Sequence, residues 1–401
     1  MRILVTDGNN RAALAVTRAL GTEGHAVVVA ERRSPALAQM SRYCAAPATY
    51  PDPTADPEAF VASLIETVRR ERIDVLLPVA DITTMLITEH RDRFEPLCRL
   101  PVADAAAVQR AADKVDILRT AARLGVPIPA TVFLEVGEDP VTSAAALPWP
   151  IVVKPRRSRL RTPDGWVSTS VRYARTPDEL RRIVAASPPE GFPLILQECL
   201  EGPGLGVFMC YKHGTLVALF SHRRLREKPP SGGVSVLSES VPVREDAGLA
   251  ARRLLDDLRW QGIAMVEFKV DARDDVPRLM EINGRFWGSL QLAIDAGVDF
   301  PSILLETLTQ DPPGAVPSYR YGVRNRWLWG DFDALLLHLF GSGPGRAGGG
   351  RMKAIVDFLR FWQRDLHYES PKWGDLGPWW YESRQWVRNV AGGLVPGWGH
   401  R

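Results

Sequence analysis

The 401-residue chain predicts an α/β protein built from several parts. Three observations carry that prediction: a strand–helix–strand opening, further strand and helix patterns alternating behind it, and an acidic two-strand pattern between residues 262 and 283. Arg2–Thr6 is a short apolar strand and Asp7-Gly8-Asn9-Asn10 a turn. Ala13, Leu14, Val16, Thr17 and Leu20 recur at helical spacing, and Ala26–Ala30 after Gly24 is a second strand. Strands alternating with helices imply a parallel sheet with crossover connections. Phe60–Arg70 continues the pattern as a helix, Ile73–Val79 as a buried strand ending at Asp81, and Pro101-Val-Ala as a further short strand. Residues 1 to about 105 are therefore expected to form a small doubly wound, Rossmann-like domain. A dinucleotide site there would use Glu31 as its ribose hook, but the turn holds one glycine and no GxGxxG fingerprint.

Further along, Asp113 is placed to cap a helix through Leu124, whose buried side carries Ile117, Leu118, Ala121 and Leu124. Pro148–Lys154 is a strand with a lysine at its end, and Pro193–Leu200 is another, entering the loop Glu201–Gly206. Val207–Tyr211 and Thr215–Phe220 form a hairpin about His213-Gly214, and residues 247–259 are helical.

The most informative stretch is Gly262–Gly288. With a period of two, Ile263, Met265, Glu267 and Lys269 share one face of a first strand. Leu279, Glu281 and Asn283 share a face of the second, opposite Arg278, Met280 and Ile282. The polar turn Asp271–Pro277 joins them as a hairpin. A register symmetric about Asp274 sets Glu267 directly opposite Glu281, where like charges about 4.5–5.5 Å apart are destabilising. A divalent cation removes that penalty, and Asn283 adds a third oxygen to the same face. Carboxylate and amide oxygens suit Mg²⁺, which keeps waters and shares its shell with phosphates. The competing reading is a surface hairpin with solvated acids.

Beyond Pro301 the character changes. Eight of the 12 tryptophans lie between Trp327 and Trp398, which marks a distinct C-terminal part. Residues 341–350 are expected to be a glycine-rich loop, with amphipathic helices at 331–340 and 352–366. The mixture of Trp and Arg also suggests a peripheral membrane role.

Bulk properties narrow the function classes. A net charge of +3 from 50 basic and 47 acidic residues leaves no nucleic-acid footprint. Cys44, Cys98, Cys199 and Cys210 have no CxxC or Cys/His metal spacing and are read as reduced thiols of a cytoplasmic protein. The start Met1-Arg-Ile-Leu-Val runs into a strand pattern without a signal-peptide core, and no apolar run is long enough to span a membrane.

Glu281-Ile-Asn-Gly-Arg285-Phe-Trp-Gly-Ser, with the strand-borne Glu267 upstream, resembles the metal-binding signature of the ATP-grasp superfamily. Other pieces follow in the family's order. Lys154, in a Val-Val-Lys-Pro setting, resembles the strand lysine that meets the α- and β-phosphates. Lys114, before Leu-Gly-Val-Pro-Ile-Pro, resembles the other nucleotide lysine. Gln197-Glu198-Cys-Leu200-Glu201-Gly-Pro-Gly204 resembles the hinge that grips adenine, with Leu200 against the base and Gln197 at its exocyclic amine. Gly204 stands where many members carry a ribose-binding glutamate, so Glu198, Glu201 or water is left to meet the ribose.

The cation-dense run Ser221–Ser235 resembles the substrate-facing loop, with Arg223 or Arg226 as anion partner and a glycine pair beside Ser231 and Ser235. Arg285 resembles the transition-state cation. An arginine-rich stretch, Arg156–Arg161, stands where a glycine-rich phosphate lid is usual. Asp7, Asp81 and Ser41-Arg42 are positioned where the first domain approaches the substrate.

The resemblance covers about residues 1–310. It implies a Rossmann-like domain (1–105) and two α+β subdomains of an ATP-grasp fold (106–190 and 191–310, the second with the metal site), and the tryptophan content sets apart a Trp-rich, mainly helical appendage (311–401). The appendage would pack on the ligase body, on a partner subunit or on a second copy. The implied activity is ATP-dependent ligation of a small carboxylate to an amine, with ATP and Mg²⁺ (or Mn²⁺), through an acyl phosphate. Three alternatives stand beside it: a bicarbonate-using carboxylase or carbamoyl-phosphate-type synthase, a non-catalytic ATP-binding module, and an NAD-dependent oxidoreductase.

Overall fold

Apolar strands that are covered on both faces build the first sheet. The computed structural model describes residues 1–162, 165–229, 232–310, 314–340 and 350–392. Ser231, most of the 341–350 loop and Trp398 lie outside them. The first sheet has the order Cys44–Thr49, Ala26–Glu31, Arg2–Val5, Val75–Leu77, all parallel. Its central runs Ile3–Val5 and Val27–Val29 are fully buried, as expected of a parallel sheet packed on both sides. Cys44–Thr49 was not expected as a strand. It contains Pro47, which lacks an N–H, and it is tolerated because the strand lies at the sheet edge.

Pro101–Ala103 forms no strand. Arg91 instead donates its guanidinium to the carbonyls of Val102 (2.7 Å) and Ala103 (2.8 Å), and only Arg99 bridges to Val75.

A second, antiparallel sheet has the order Thr131–Leu134, Leu194–Glu198, Ile151–Lys154, Arg172–Ala174. Leu194–Glu198 lies inside this sheet, so a boundary at residue 190 cuts it one strand early. The arginine-rich stretch forms part of a separate hairpin, Arg159–Thr162 with Gly165–Ser168.

The third sheet has seven strands, in the order Pro277–Asn283, Gly262–Val270, Gly204–Lys212, Thr215–Lys228, Val234–Ser240, Arg324–Arg326, Leu366–Tyr368. The turn at His213-Gly214 has two positive φ angles, 47° and 77°, as two-residue hairpin turns favour. The last two strands come from the Trp-rich segment, which therefore extends this sheet as well as adding the helices Leu328–Phe340, Arg351–Phe358 and Gly377–Ala391. The helix expected over 352–366 stops at Phe358, and the chain turns into Leu366–Tyr368.

One face of the third sheet (Val207, Met209, Val266, Phe268, Leu279, Ile282) packs on the helices Ala105–Ala112 and Glu245–Asp257. The other face (Phe208, Phe220, Ile263, Met265) shares a core with Trp287, Leu290 and the helix Arg11–Thr22 of the first sheet. The Trp-rich segment is tied to that same helix. Arg18 donates to Asp375 (2.7 Å) and to the carbonyls of Glu369 and Ser370, and Ser41 donates to Asp375 (2.7 Å). Among the described residues no helix is long and apolar enough to cross a membrane.

Candidate functional site

The register about Asp274 is realised: Glu267 pairs with Glu281 and Met265 with Asn283. A bulge beside Glu267 changes one detail of the expected alternation. Leu279 turns into the core with Ile282, and Met280 joins Glu281 on the open side. The two carboxylates face a cleft of about 420 Å³, within the usual range for small-molecule sites. Its walls come from the second and third sheets and from the helix starts at Arg11 and Lys114.

Four cations meet these two acids. Lys114 lies 3.3 Å from Glu281 and donates to Ser158 Oγ (2.8 Å). Asp113 caps its helix by accepting from the N–H groups of Val115 and Asp116. Arg224 donates to Glu267, to Glu227 (3.1 Å) and to the Gly233 carbonyl (3.0 Å). Arg285 donates to Asp81 of the first domain (2.6 Å) and to Asn283 Oδ1 (3.2 Å), while Asn283 Nδ2 donates to Glu281 (3.0 Å).

Lys154 is the fourth, at the end of its strand. Among the described residues it makes neither hydrogen bond nor ion pair. Burial pushes its ammonium down to about 8 against the pull of Glu281. Burial, together with the facing Glu281, raises Glu267. Burial also opposes the charge on Glu281, yet Lys114, Asn283 and Arg285 outweigh it and hold that carboxyl below the usual range. The pair is therefore split electrostatically.

At the other end of the cleft, Gln197 is buried and donates to Thr131 Oγ1 (2.9 Å), and Leu200 lies beside it. Glu198 and Gly204 also border the cleft. The Glu198 carboxylate, however, is taken up by the Ala130 N–H (2.9 Å) and Arg273 (2.7 Å), which fasten the hairpin turn to the hinge. Glu201 is exposed and does not line the cleft; its carbonyl accepts from Ala272 N–H (2.9 Å). Gly202 has φ +138°, and a Cβ there would stand 1.8 Å from the Val270 carbonyl oxygen, so the hinge needs glycine at this point.

Two expected residues lie elsewhere. Arg223 is half-exposed and pairs with Glu239 (2.6 Å), and Arg226 pairs with Asp331 of the helix Leu328–Phe340 (2.6 Å). The cause is local. The basic run is not a loop but the end of Thr215–Lys228, so alternation sets Arg224 toward the cleft and Arg223 away. Bulges on both sides of Arg226 then turn Arg226 outward and Glu227 inward. Counting in twos from the core residue Phe220 through His222 would have picked Arg224. Lys269 lines the cleft on the face it shares with Glu267, as the period of two predicts, whereas Glu227, Met280 and Arg11 line it without a sequence signal. The bulges and a helix 250 residues away leave no mark in local periodicity.

Residues 190–330 match the family model described as ATP-grasp in the biosynthetic pathway with Ter operon. The fold agrees: the chain has the architecture of ATP-grasp proteins. The biotin carboxylase domain of Hydrogenobacter thermophilus 2-oxoglutarate carboxylase superposes with a TM-score of 0.64 at 15% identity, covering 80% of this chain and 73% of that one. Staphylococcus aureus N5-carboxyaminoimidazole synthetase gives 0.62 at 14%, covering 87% and 90%. The L-amino acid ligase of Bacillus licheniformis gives 0.57 at 13%, covering 77% and 74%. No curated protein matches the sequence.

Proposed function

We propose that this protein is an ATP-dependent ligase that activates a small-molecule carboxylate as an acyl phosphate and joins it to an amine, releasing ADP and phosphate. The observation that carries the reading is the convergence of Glu267, Glu281, Asn283, Lys114, Lys154 and Arg285 on one cleft, with the Gln197–Gly204 hinge at its far end. The similar folds of an L-amino acid ligase and of carboxylases support it.

ATP would lie with its base at Gln197 and Leu200 and its phosphates toward Lys114 and Lys154. The donor set fits Mg²⁺ or Mn²⁺: two carboxylates and an amide, with no third His, Cys, Asp or Glu joining them among the described residues. Glu267, Glu281 and Asn283 would hold the ion, which when bound offsets phosphate charge. A carboxylate oxygen of the substrate attacks the γ-phosphorus, the bond to ADP breaks, and an amine then displaces phosphate from the acyl carbon. Lys114, Lys154 and Arg285 screen the charge of the transferring group, which is most of what a protein contributes to phosphoryl transfer.

We further propose the four-part division of the chain, with the boundary near 190 moved beyond Glu198, and a cytoplasmic setting, which the four free cysteines support. The test is coupled ADP and phosphate release with Mg-ATP, pooled carboxylic acids and amines. Release that needs both, and that falls about 10²–10³-fold in a folded Glu281→Gln variant, is expected. Near-normal release from that variant would overturn the assignment. Release driven by bicarbonate alone would favour the carboxylase alternative.

A further inference from the structure

At the end of the cleft beyond Arg285 stands a cation outside the nucleotide machinery. Arg11 opens the helix Arg11–Thr22, and its side chain is only 14% exposed. Nη1 donates to Glu369, and the guanidinium lies over the Trp327 ring, 4.0 Å from its centroid. Both partners belong to the Trp-rich segment, so this segment aims a residue of the first domain. Nη2 makes no hydrogen bond among the described residues. It lies against Gly288, where an added Cβ would be 3.0 Å away. The absence of a side chain at 288 is thus what leaves room for it. Trp287, the neighbour of Gly288 in the chain, also borders the cleft, but its ring packs on Phe208 and Phe300 and leaves Arg11 as the donor on this side.

We propose that Arg11, given room by Gly288, forms an anion subsite for a second acidic group of the carboxylate substrate. The proposal rests on the ligase reading and narrows it: the acid is a short diacid rather than a monoacid. Arg285 and Gly288 are three residues apart, so their backbones lie within about 10 Å. One carboxylate would lie at Arg285 and the other at Arg11, which border the same cleft. Each arginine has its own carboxylate behind it, Asp81 for Arg285 and Glu369 for Arg11, which fixes its direction without occupying all its donors.

The experiment is calorimetric titration of the whole protein, with and without Mg-ADP, using succinate, glutarate, L-aspartate and L-glutamate. L-Asparagine and L-glutamine serve as monoamide controls. At least one diacid should bind saturably, about 10–100-fold tighter than its monoamide, as a charge-assisted contact implies. Arg11→Leu should erase that difference while ADP affinity stays unchanged, Arg11→Lys should restore part of it, and Gly288→Ala should weaken diacid binding with every charge in place. No saturable diacid binding to the wild type, or discrimination that survives Arg11→Leu, would overturn the subsite. ADP binding in the same titrations reports separately on the ligase reading, because the diacids are also measured without nucleotide.

Discussion

Two stretches of the seven-stranded sheet handle charge in opposite ways. In the hairpin Gly262–Asn283 two acids converge on one point and neighbouring cations come to them. In the strand Thr215–Lys228 four cations start side by side and disperse: Arg223 to Glu239, Arg224 to Glu267, Arg226 to Asp331 and Lys228 to Asp333. Concentrated like charge is destabilising until a ligand offsets it, so convergence marks a binding site. Dispersed charge is already neutralised and marks structure. Only Arg224 belongs to both stretches, since its partner is a member of the acidic pair.

That contrast is broken most directly at Arg224. Arg224→Met should lower ADP release about 100-fold, because it strips Glu267 and Glu227 of their common cation and frees the Gly233 carbonyl. Arg223→Ala, one residue away and turned from the cleft, should stay within about twofold, because Glu239 keeps Arg324 as its other cation. Steady-state ADP release by both variants checks this. Equal losses would mean that position in the basic run matters more than the side of the strand.

A smaller effect separates Lys154 from the paired cations. Among the described residues Lys154 has no hydrogen-bond or ion-pair partner, and burial lowers it to about 8. In the proposed role its charged form would meet phosphate, so rising pH removes the attraction. ATP affinity, measured by dialysis in EDTA to leave the metal ligands out of play, should be flat below pH 8. Above it, affinity should fall by up to about tenfold per unit. Lys154→Met should bind more weakly at pH 7 and lose the pH slope. A wild-type slope that persists in Lys154→Met would assign the titration to another group.

The two stretches also differ in how much of them the sequence reveals. The hairpin's register follows from its own turn, because Asp271–Pro277 and the alternation on both sides are local. The shared face of Glu267, Glu281 and Asn283 is therefore legible in the sequence alone. The Met280 bulge is not, since one extra residue in a strand leaves the composition unchanged. The basic strand's cations are assigned by Asp331 and Asp333, about a hundred residues on, and by bulges around Arg226. Glu198 is similar: its type suits a ribose, but Ala130 and Arg273 hold its carboxylate. Arg11 was unreadable because its orientation is set by Glu369 and Trp327, in a segment whose packing no family pattern announced.

The least disruptive change should come where charge is already shared. Asp331 is 2% exposed and accepts from both Arg226 and Arg326. Removing one partner leaves the buried carboxylate with the other, so Arg226→Ala should cost about 1–3 kcal/mol, less than leaving that charge unpaired. The loss should be local to the helix Leu328–Phe340. Hydrogen exchange there should speed up about 10–100-fold, while strands Gly262–Val270 and Arg2–Val5 keep their protection. ADP release should change little, because Arg226 donates to Asp331 and Asp357 rather than into the cleft. Loss of activity without faster exchange would return Arg226 to the substrate side and erase the distinction between the two stretches. Faster exchange with activity intact would make this cation a docking contact of the Trp-rich segment.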